Sequence, residues 1–442
     1  SNSASVFDLF GTVGYRLGSR SNLAVVTGSG SLWSNAFDLS VGIFDAGNRL
    51  EISDGAIVLS EFGILGFNAG SSNNSALVTG SGSMWSNSTE LWVGRAGAGN
   101  QLVVSNGALV CVGGSAFLGI SAGSTNNRII VDGGTISITN VAGTGMLDIR
   151  RGTNVLNAGL IEADILRVTN GSSGRFELNG GTLSTKSSRV SAGNPLLIGD
   201  GVHPATLNLA GDGTHDFSGT PALIVRSNAT LTGNGSLIVQ LQVQPGAELI
   251  PGASAGRISL STPPFFSGTI VMEIRKKSSI FTNDQIQVTG TLTYGGTLIV
   301  TNISLTALAP GDKFKLFDAT SYAGAFSSII LPPLDFGLTW TNKLLVDGSI
   351  EVLPSPAILI SGGSYTQNFD LLTLGGRAAG IWLDNSTLLG WYAAQSLAPF
   401  AITNYRSSDG STNSGGLYSF GSNGTTERAL GSIPVNALGH IS

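Results

Sequence analysis

The sequence predicts an all-β protein built mainly as a parallel β-helix, or β-solenoid, followed by antiparallel β-sheet or sandwich modules. A nine-residue segment, Thr27–Asn35, returns 52 residues later as Thr79–Asn87 with one change, and such a fixed period is typical of repeat architectures. The 442 residues also include 63 glycines among frequent alternations of Val, Ile and Leu, a composition typical of β-proteins with many tight turns. Within this period a shorter motif recurs. It begins with asparagine, at Asn48, Asn74, Asn100 and Asn127, so successive copies are 26, 26 and 27 residues apart.

A unit of this length fits one coil of a β-helix. It is too short for a four-stranded propeller blade, and it contains no amphipathic helical window. Side chains alternate along a strand, so in Leu50-Glu51-Ile52 the two apolar residues point inward and Glu51 outward. Stacked coils are then expected to form two interior columns, one of Leu50, Ala76, Leu102 and Ile129, the other of Ile52, Val78, Val104 and Val131.

The repeated asparagines have two interpretations. Asparagine tolerates left-handed backbone angles and can stack its amide on the next coil, which predicts a structural ladder at a corner. The alternative is a row of ligand-binding amides, and we favour the ladder. The single cysteine, Cys111, falls 52 residues after Leu59, and we expect it to be a small buried residue rather than a nucleophile.

Composition limits the classes of function. Only 11% of the residues are charged and the net charge is −5. Without a basic run, nucleic-acid and other polyanion binding is disfavoured. No apolar run reaches the roughly 18 residues that a membrane span needs, and the chain starts at Ser1 without a leader. We expect a mature exported form or a fragment, located outside the cell or on a bacterial cell surface.

Four regions follow in chain order. Residues 1–22 are expected to be an N-terminal cap or a strand donated to a neighbour, and residues 23–260 to form nine or ten coils of β-helix. Residues 261–353 lose the 26-residue spacing and predict an antiparallel β cap domain. Residues 354–442 predict a β-sandwich-like module whose remaining strands are either missing or supplied by another subunit.

Several of these segments resemble a known class of protein. The Gly-Ser-Gly-Ser-x-Trp segments at 28–33 and 80–85 resemble repeats of type V secretion passengers and PEP-CTERM exported proteins. Residues 229–254, Thr289–Leu298 and Gly311–Ala319 are similar to the end of autotransporter-associated β-strand repeat proteins, found in Verrucomicrobia and related bacteria. Together the matches cover about 23–353. The resemblance implies an exported right-handed β-helix with no catalytic residues to carry over.

The inventory of reactive residues is small. His203 and His215 lie in Gly- and Pro-containing loops, where a surface turn is favoured over a metal site. The best carboxylate pair for a polysaccharide-acting enzyme is Glu162 and Asp164, two apart on one strand, although a solvated surface is favoured there too. We predict no catalytic, cofactor-binding or metal-binding residues.

The leading functional hypothesis is therefore a non-enzymatic extracellular structural protein whose partner is another copy of itself, joined end to end or by strand donation into a surface fibre or matrix. The alternative is a monomeric adhesin or stalk that binds glycans, and the third hypothesis is a polysaccharide-acting β-helix enzyme. Neither a nucleic acid nor a membrane span is expected. The candidate interaction residues are Trp92, which occupies an outward slot, and Val6, Phe7, Leu9, Phe10, Trp391 and Tyr392.

Overall fold

The computed structural model describes residues 3–252, 255–335 and 337–355, and then 367–372, 379–384, 386–388, 391–393, 401–412, 414–422 and 427–433. The chain divides into two compact units. The first consists of Ser1–Asp335 and Trp340–Leu353, and the second of Phe336–Thr339 and Pro354–Ser442. Each unit is described by itself below.

The first unit is a parallel β-solenoid of about 12 turns. Each full turn contributes one strand to each of three faces, which begin with β1 (Ser5–Asp8), β2 (Gly11–Val13) and β3 (Leu23–Thr27). The solenoid strands up to residue 190 are Ser5–Asp8, Gly11–Val13, Leu23–Thr27, Leu32–Asn35, Asp38–Val41, Arg49–Ser53, Ile57–Leu65, Ser75–Thr79, Met84–Val93, Gln101–Ser105, Leu109–Val112, Ser115–Leu118, Arg128–Ile138, Met146–Ile149, Gly152–Val168, Gly174–Leu178 and Gly181–Val190. The later ones are Leu196–Ile198, Ala205–Leu209, Thr214–Asp216, Leu223–Val225, Ala229–Gly233, Gly235–Ile238, Leu241–Val243, Glu248–Pro251, Arg257–Leu260, Phe265–Phe266, Thr269–Lys277, Ile280–Asn283, Gln285–Tyr294, Thr297–Asn302, Phe317–Gly324 and Ser328–Ile330. A short 3-10 helix spans Gly171–Ser173.

The interior columns predicted from the sequence are confirmed on the third face. Leu50 pairs with Ala76, Ala76 with Leu102, and Leu102 with Ile129, as neighbours in parallel register. All four side chains are at most 1% exposed, and the column that begins at Ile52 is fully buried. Burial of apolar surface contributes roughly 25 cal/mol per Å², so the stacking of coil on coil is the main stabilising interaction, as in other solenoids.

The asparagine ladder is also confirmed. The side-chain oxygen of Asn74 accepts hydrogen bonds from both the backbone N–H and the side-chain amide of Asn48, at 2.8 and 3.0 Å. The same pair of bonds links Asn74 to Asn100 and Asn100 to Asn127. All four residues are 0% exposed. Each amide thus satisfies backbone polar groups that the corner would otherwise bury without a partner.

Parallel pairing extends beyond 23–260 in both directions, which is why about 12 turns form where nine or ten were expected. β1, β2 and β3 already make one turn. Beyond residue 260, where the sequence predicted antiparallel strands, Thr269 pairs in parallel with Thr297 and Thr297 with Ser328. These steps are 28 and 31 residues long. Insertions between the stacked strands, such as the hairpin of Thr269–Lys277 with Ile280–Asn283, lengthen the step between turns. The 26-residue period is therefore not visible in the sequence, although the strands still stack in parallel.

Segments before and after the last solenoid strands cover the C-terminal end of the solenoid. A three-stranded sheet contains Lys313–Lys315, Ser349–Pro354 and Leu338–Lys343, of which the first two pair in antiparallel orientation. The helix α1 (Leu344–Asp347) accepts a hydrogen bond at the Leu344 carbonyl from the Tyr294 hydroxyl, at 2.9 Å. Five apolar side chains that are at most 2% exposed fill this end: Phe314, Phe317, Leu344, Ile350 and Val352.

The second unit contains a smaller four-stranded sheet. Its strands are Ala379–Ile381, Asn404–Ser408, Gly416–Phe420 and Ala429–Ile433, and the two outer pairings are antiparallel and the central one parallel. A 3-10 helix spans Asp370–Leu372. The core of this unit contains Leu372, Trp382, Leu388, Ala393, Tyr405 and Leu417. Among the described residues of the whole chain, no helix is long and apolar enough to cross a membrane.

Candidate functional site

Within the described residues, the solenoid begins with an exposed sheet edge. In the described part of the chain, β1, β2 and β3 each pair with a strand of the next turn only. Val6 starts the interior column that continues through Trp33 and Val58 to Trp85. Val58 and Trp85 are fully buried, whereas Val6 is 52% exposed. The end therefore presents both unpaired backbone groups and the apolar cross-section of the solenoid.

Four of the predicted interaction residues lie at this end. Val6, Phe7, Leu9 and Phe10 are all more than half exposed. The Phe10 ring stacks on Phe37 of the next turn, with centroids 5.2 Å apart. A depression of about 360 Å³ opens between the strands, and its lining includes Ala4, Val6, Ala24, Val26, Leu32 and Trp33. Apolar side chains are thus exposed at this end, both in the depression, which Val6 lines, and beside it, at Phe7, Leu9 and Phe10.

Trp92, the predicted outward aromatic, lies on the outer side of the second face and is half-buried. Its indole N–H donates a hydrogen bond to the Glu90 carboxylate at 2.7 Å. The ring centroid is 5.9 Å from that of Phe62, and the Arg95 guanidinium lies 5.2 Å from the ring. Phe62 and Arg95 pack against the indole ring, and its only hydrogen-bond donor is used by Glu90. The geometry therefore favours a packing role for Trp92 over a role as a sugar-binding surface.

Trp391 and Tyr392 belong to the second unit. Trp391 packs against the core of that unit, with its ring centroid 5.0 Å from that of Phe369. The Tyr392 hydroxyl is hydrogen-bonded to the hydroxyl of Ser355. Both side chains are half-buried and have packing or hydrogen-bonding partners within their own unit.

The two loop histidines differ from each other. His203 is exposed, and its Nδ1 lies 2.7 Å from the Asp200 carboxylate. His215, expected in a surface turn, is fully buried, and its Nδ1 lies 3.0 Å from the Ser188 hydroxyl. The surface interpretation of His215 is wrong because its strand turns this residue into the solenoid, where it stacks between Ser188 and Leu237. Burial lowers the pKa of His215 to about 4.

Cys111 and the best carboxylate pair also depart from expectation. Cys111 is half-buried on the outer side of its strand, because Val110 and Val112 take the inward positions. Burial raises the pKa of its thiol. Glu162 is exposed but Asp164 is buried, since two successive residues face inward where the strand bends. The two carboxylates therefore do not share an exposed face.

The Asp164 carboxylate has a structural role. Lys186 lies 2.6 Å from its carboxylate, and the backbone N–H groups of Asn140 and Gly145 donate to it. Although burial by itself raises the pKa of Asp164, these three donors hold it below its ordinary value. In the described ranges, no group of three or more His, Cys, Asp or Glu side chains is arranged to hold a metal ion.

Sequence reasoning missed a groove at one corner of the solenoid. It has a volume of about 620 Å³, and its charged lining residues are Arg128, Arg151, Arg175 and Glu177. The three arginines stand 23 and 24 residues apart in the chain, which is close to one coil. This spacing is the signal that reveals the cluster, because residues one period apart become neighbours on a solenoid. We refer to it below as the arginine groove.

Comparisons with known proteins identify no relative: no family model matches the chain, and no curated protein is significantly similar to it. The resemblance to autotransporter-associated repeats therefore stays a prediction. Two surfaces are candidates for interaction: the N-terminal end, where β1, β2 and β3 each pair on one side only within the described chain, and the arginine groove, which carries three guanidinium groups.

Proposed function

We propose that the protein is a non-enzymatic structural β-solenoid located outside the cell or on a bacterial cell surface, and that two copies associate through their N-terminal ends. One observation carries this proposal: β1, β2 and β3 each leave one edge unpaired beside a half-exposed core residue, Val6. Unpaired edges with apolar side chains are templates for pairing with another chain, and natural proteins usually block them.

The occupant that best fits this edge is a second copy. Two copies related by a two-fold axis would bring the same three strands together and would close the contact on itself. A fibre of stacked solenoids needs two open ends. Because α1 and the three-stranded sheet cover the other end, we favour a closed dimer over a fibre built by coil stacking alone.

Location and the absence of catalysis rest on the resemblance of residues 23–353 to exported repeat proteins. The adhesin alternative is not favoured at Trp92, whose indole N–H already donates to Glu90. The enzyme alternative is not favoured at Glu162, because its partner in the predicted pair, Asp164, is buried and paired with Lys186.

The test introduces a charge at the open end. Val6→Lys places an ammonium group in the proposed joint and should convert a dimer into a monomer, because burial of an unpaired charge is strongly unfavourable. The matched control is Val202→Lys, which changes a 69% exposed valine in a turn. Sedimentation velocity and electron microscopy of the unheated protein measure the outcome.

Four results decide the proposal. A dimer for the unmodified chain and Val202→Lys, with a monomer for Val6→Lys, supports it. A monomer of the unmodified chain at every concentration, or a dimer that persists in Val6→Lys, overturns it. Long filaments of the unmodified chain would overturn the closed dimer and show that a second joint exists.

A further inference from the structure

We propose that the arginine groove binds a short acidic oligosaccharide, one whose sugars carry carboxylate groups. The proposal is independent of association at the N-terminal end. The groove lies at the start of the third face, where Arg128 pairs in register with Thr153 and Thr153 with Arg175. Adjacent strands lie about 4.8 Å apart, so the backbones of the two arginines are about 10 Å apart along the solenoid.

The charges in the groove are available to a ligand. Arg128 and Arg175 are exposed, and among the described residues neither forms a salt bridge. Arg151 is half-buried and donates from Nη1 to the Ile120 carbonyl at 3.0 Å, which orients its guanidinium. A guanidinium has five N–H donors, so Arg151 retains donors for a ligand. Three cations and one anion, Glu177, make the groove locally positive in a chain of net charge −5.

Arginine side chains suit carboxylates in particular. A guanidinium and a carboxylate form two parallel hydrogen bonds, which are shorter and stronger than bonds between neutral groups. Two exposed arginines separated by two coil steps fix two such contacts along a linear ligand. The groove volume of about 620 Å³ lies within the range of about 300 to 1,000 Å³ that is common for small-molecule sites.

The remaining lining favours a sugar over a nucleic acid. It supplies hydroxyl and amide groups that can bond sugar hydroxyls, from Thr125, Asn126, Thr153, Ser172 and Ser173. Its described lining contains no aromatic ring, whereas single-stranded nucleic acids are held mainly by stacking on aromatic side chains. The chain also lacks the extended basic field that nucleic-acid binding requires.

Titration calorimetry with tetragalacturonate as the probe tests the proposal, at low and at physiological ionic strength. The comparison ligands are the methyl ester of the same tetrasaccharide, which removes the charge and keeps the sugar, and a single-stranded oligothymidylate. The variants are Arg128→Gln and Arg175→Gln. The matched control is Arg257→Gln, an exposed arginine on the second face that changes the net charge equally.

We expect tetragalacturonate to bind, with about a tenfold loss of affinity for Arg128→Gln and for Arg175→Gln, the size expected for one charge-assisted contact. Arg257→Gln should bind as the unmodified chain does, and the methyl ester at least about tenfold more weakly. Glu177→Gln should bind tetragalacturonate more tightly, because it removes a like charge. No detectable tetragalacturonate binding, equal binding of the oligothymidylate, or equal loss in Arg257→Gln would overturn the proposal.

Discussion

The two ends of the solenoid solve the same physical problem differently. At the C-terminal end, α1 and a three-stranded sheet cover the last turns, and the Phe317 ring is fully buried between Tyr294 and Phe326. At the N-terminal end the first turn has no such cover in the described chain, and Phe10 is 61% exposed. Both ends carry aromatic side chains, but among the described residues only those at the C-terminal end are packed into a core.

The difference shows that the repeat does not by itself determine how a solenoid ends. Every interior coil is covered on both sides by copies of itself, whereas a terminal coil needs atypical sequence to hide its cross-section. At one end, Lys313–Lys315 and the segments from Leu338 to Pro354 supply that sequence. At the other end, β1 to β3 stack in register on the next turn as the interior strands do, and the described chain adds no atypical segment over them.

The largest expected difference between the two ends is in the stability that is lost when an aromatic ring is removed. Phe317→Ala removes a fully buried ring and should lower the local free energy of unfolding by about 3 to 5 kcal/mol. Phe10→Ala removes a mostly exposed ring with one stacking contact, to Phe37, and should lower it by less than about 1 kcal/mol. Hydrogen exchange of strand amides, measured on dilute protein, reports each end separately.

Equal losses for the two variants would contradict the comparison, because they would mean that Phe10 is covered by a second copy even in dilute solution. The local measurement matters here, since a long solenoid need not unfold in one step and a single melting temperature would average the ends.

The interior coils were more predictable than the ends, for a physical reason. Asn48 and Leu50 repeat in sequence because stacking demands the same residue type at the same place in each turn. At the C-terminal end the stacking persists, but hairpins and loops lengthen the step from Thr297 to Ser328 to 31 residues, and period counting fails. The cap core around Phe317 is non-repetitive, so no internal comparison reveals it.

The direction of side chains was the second feature that the sequence predicted only in part. Strict alternation placed Leu50 and Ile52 correctly, but it failed at Asp164, where the strand bends at a corner. Cys111 does align with Leu59, as expected, but both residues lie on the outer side of the strand and not on the inner side. The arginine groove was missed because net charge averages over the whole chain, whereas Arg128 and Arg175 meet only through the coil period.

The second expected difference is in how local stability changes with pH near Asp284 and at the N-terminal end. Burial, assisted by the nearby Glu273 carboxylate, raises the pKa of Asp284 to about 6, even though the backbone N–H groups of Gly256 and Glu273 donate to it. The unfolded pKa is 3.8, so between these values the folded state binds more protons than the unfolded state. Acidification from pH 7 to pH 4 should therefore stabilise the region of Asp284 by about 2 kcal/mol.

The N-terminal end should respond with the opposite sign. A hydrogen bond from Arg20, with others from the backbone N–H groups of Ala46 and Gly18, lowers the pKa of Asp45. That stabilisation is complete above pH 3.8 and is lost as the pH falls through the lower folded value. Protection factors corrected for the intrinsic exchange rate measure both trends. Asp284→Asn is the control and should abolish the gain near Gln285–Tyr294, and a gain that persists in it would assign the effect to another group.

The smallest contrast concerns the asparagine ladder, which runs from the open end into the interior. Asn74→Ala removes the acceptor of two hydrogen bonds from buried Asn48 and should lower local stability by about 1 to 2 kcal/mol, because those donors are then buried without a partner. Asn22 is the first rung, and its backbone N–H and side-chain amide donate to Asn48 from an exposed position.

Asn22→Ala should therefore change local stability by less than about 0.5 kcal/mol, since water can replace an exposed partner. Hydrogen exchange of the amides in Arg49–Ser53, on the turn that both variants contact, compares them directly. If dimerisation covers the open end, the Asn22 effect should grow with protein concentration while the Asn74 effect stays constant. An Asn22 effect that equals that of Asn74 at every concentration would mean that the first rung is as enclosed as the interior, and that the N-terminal end is not open.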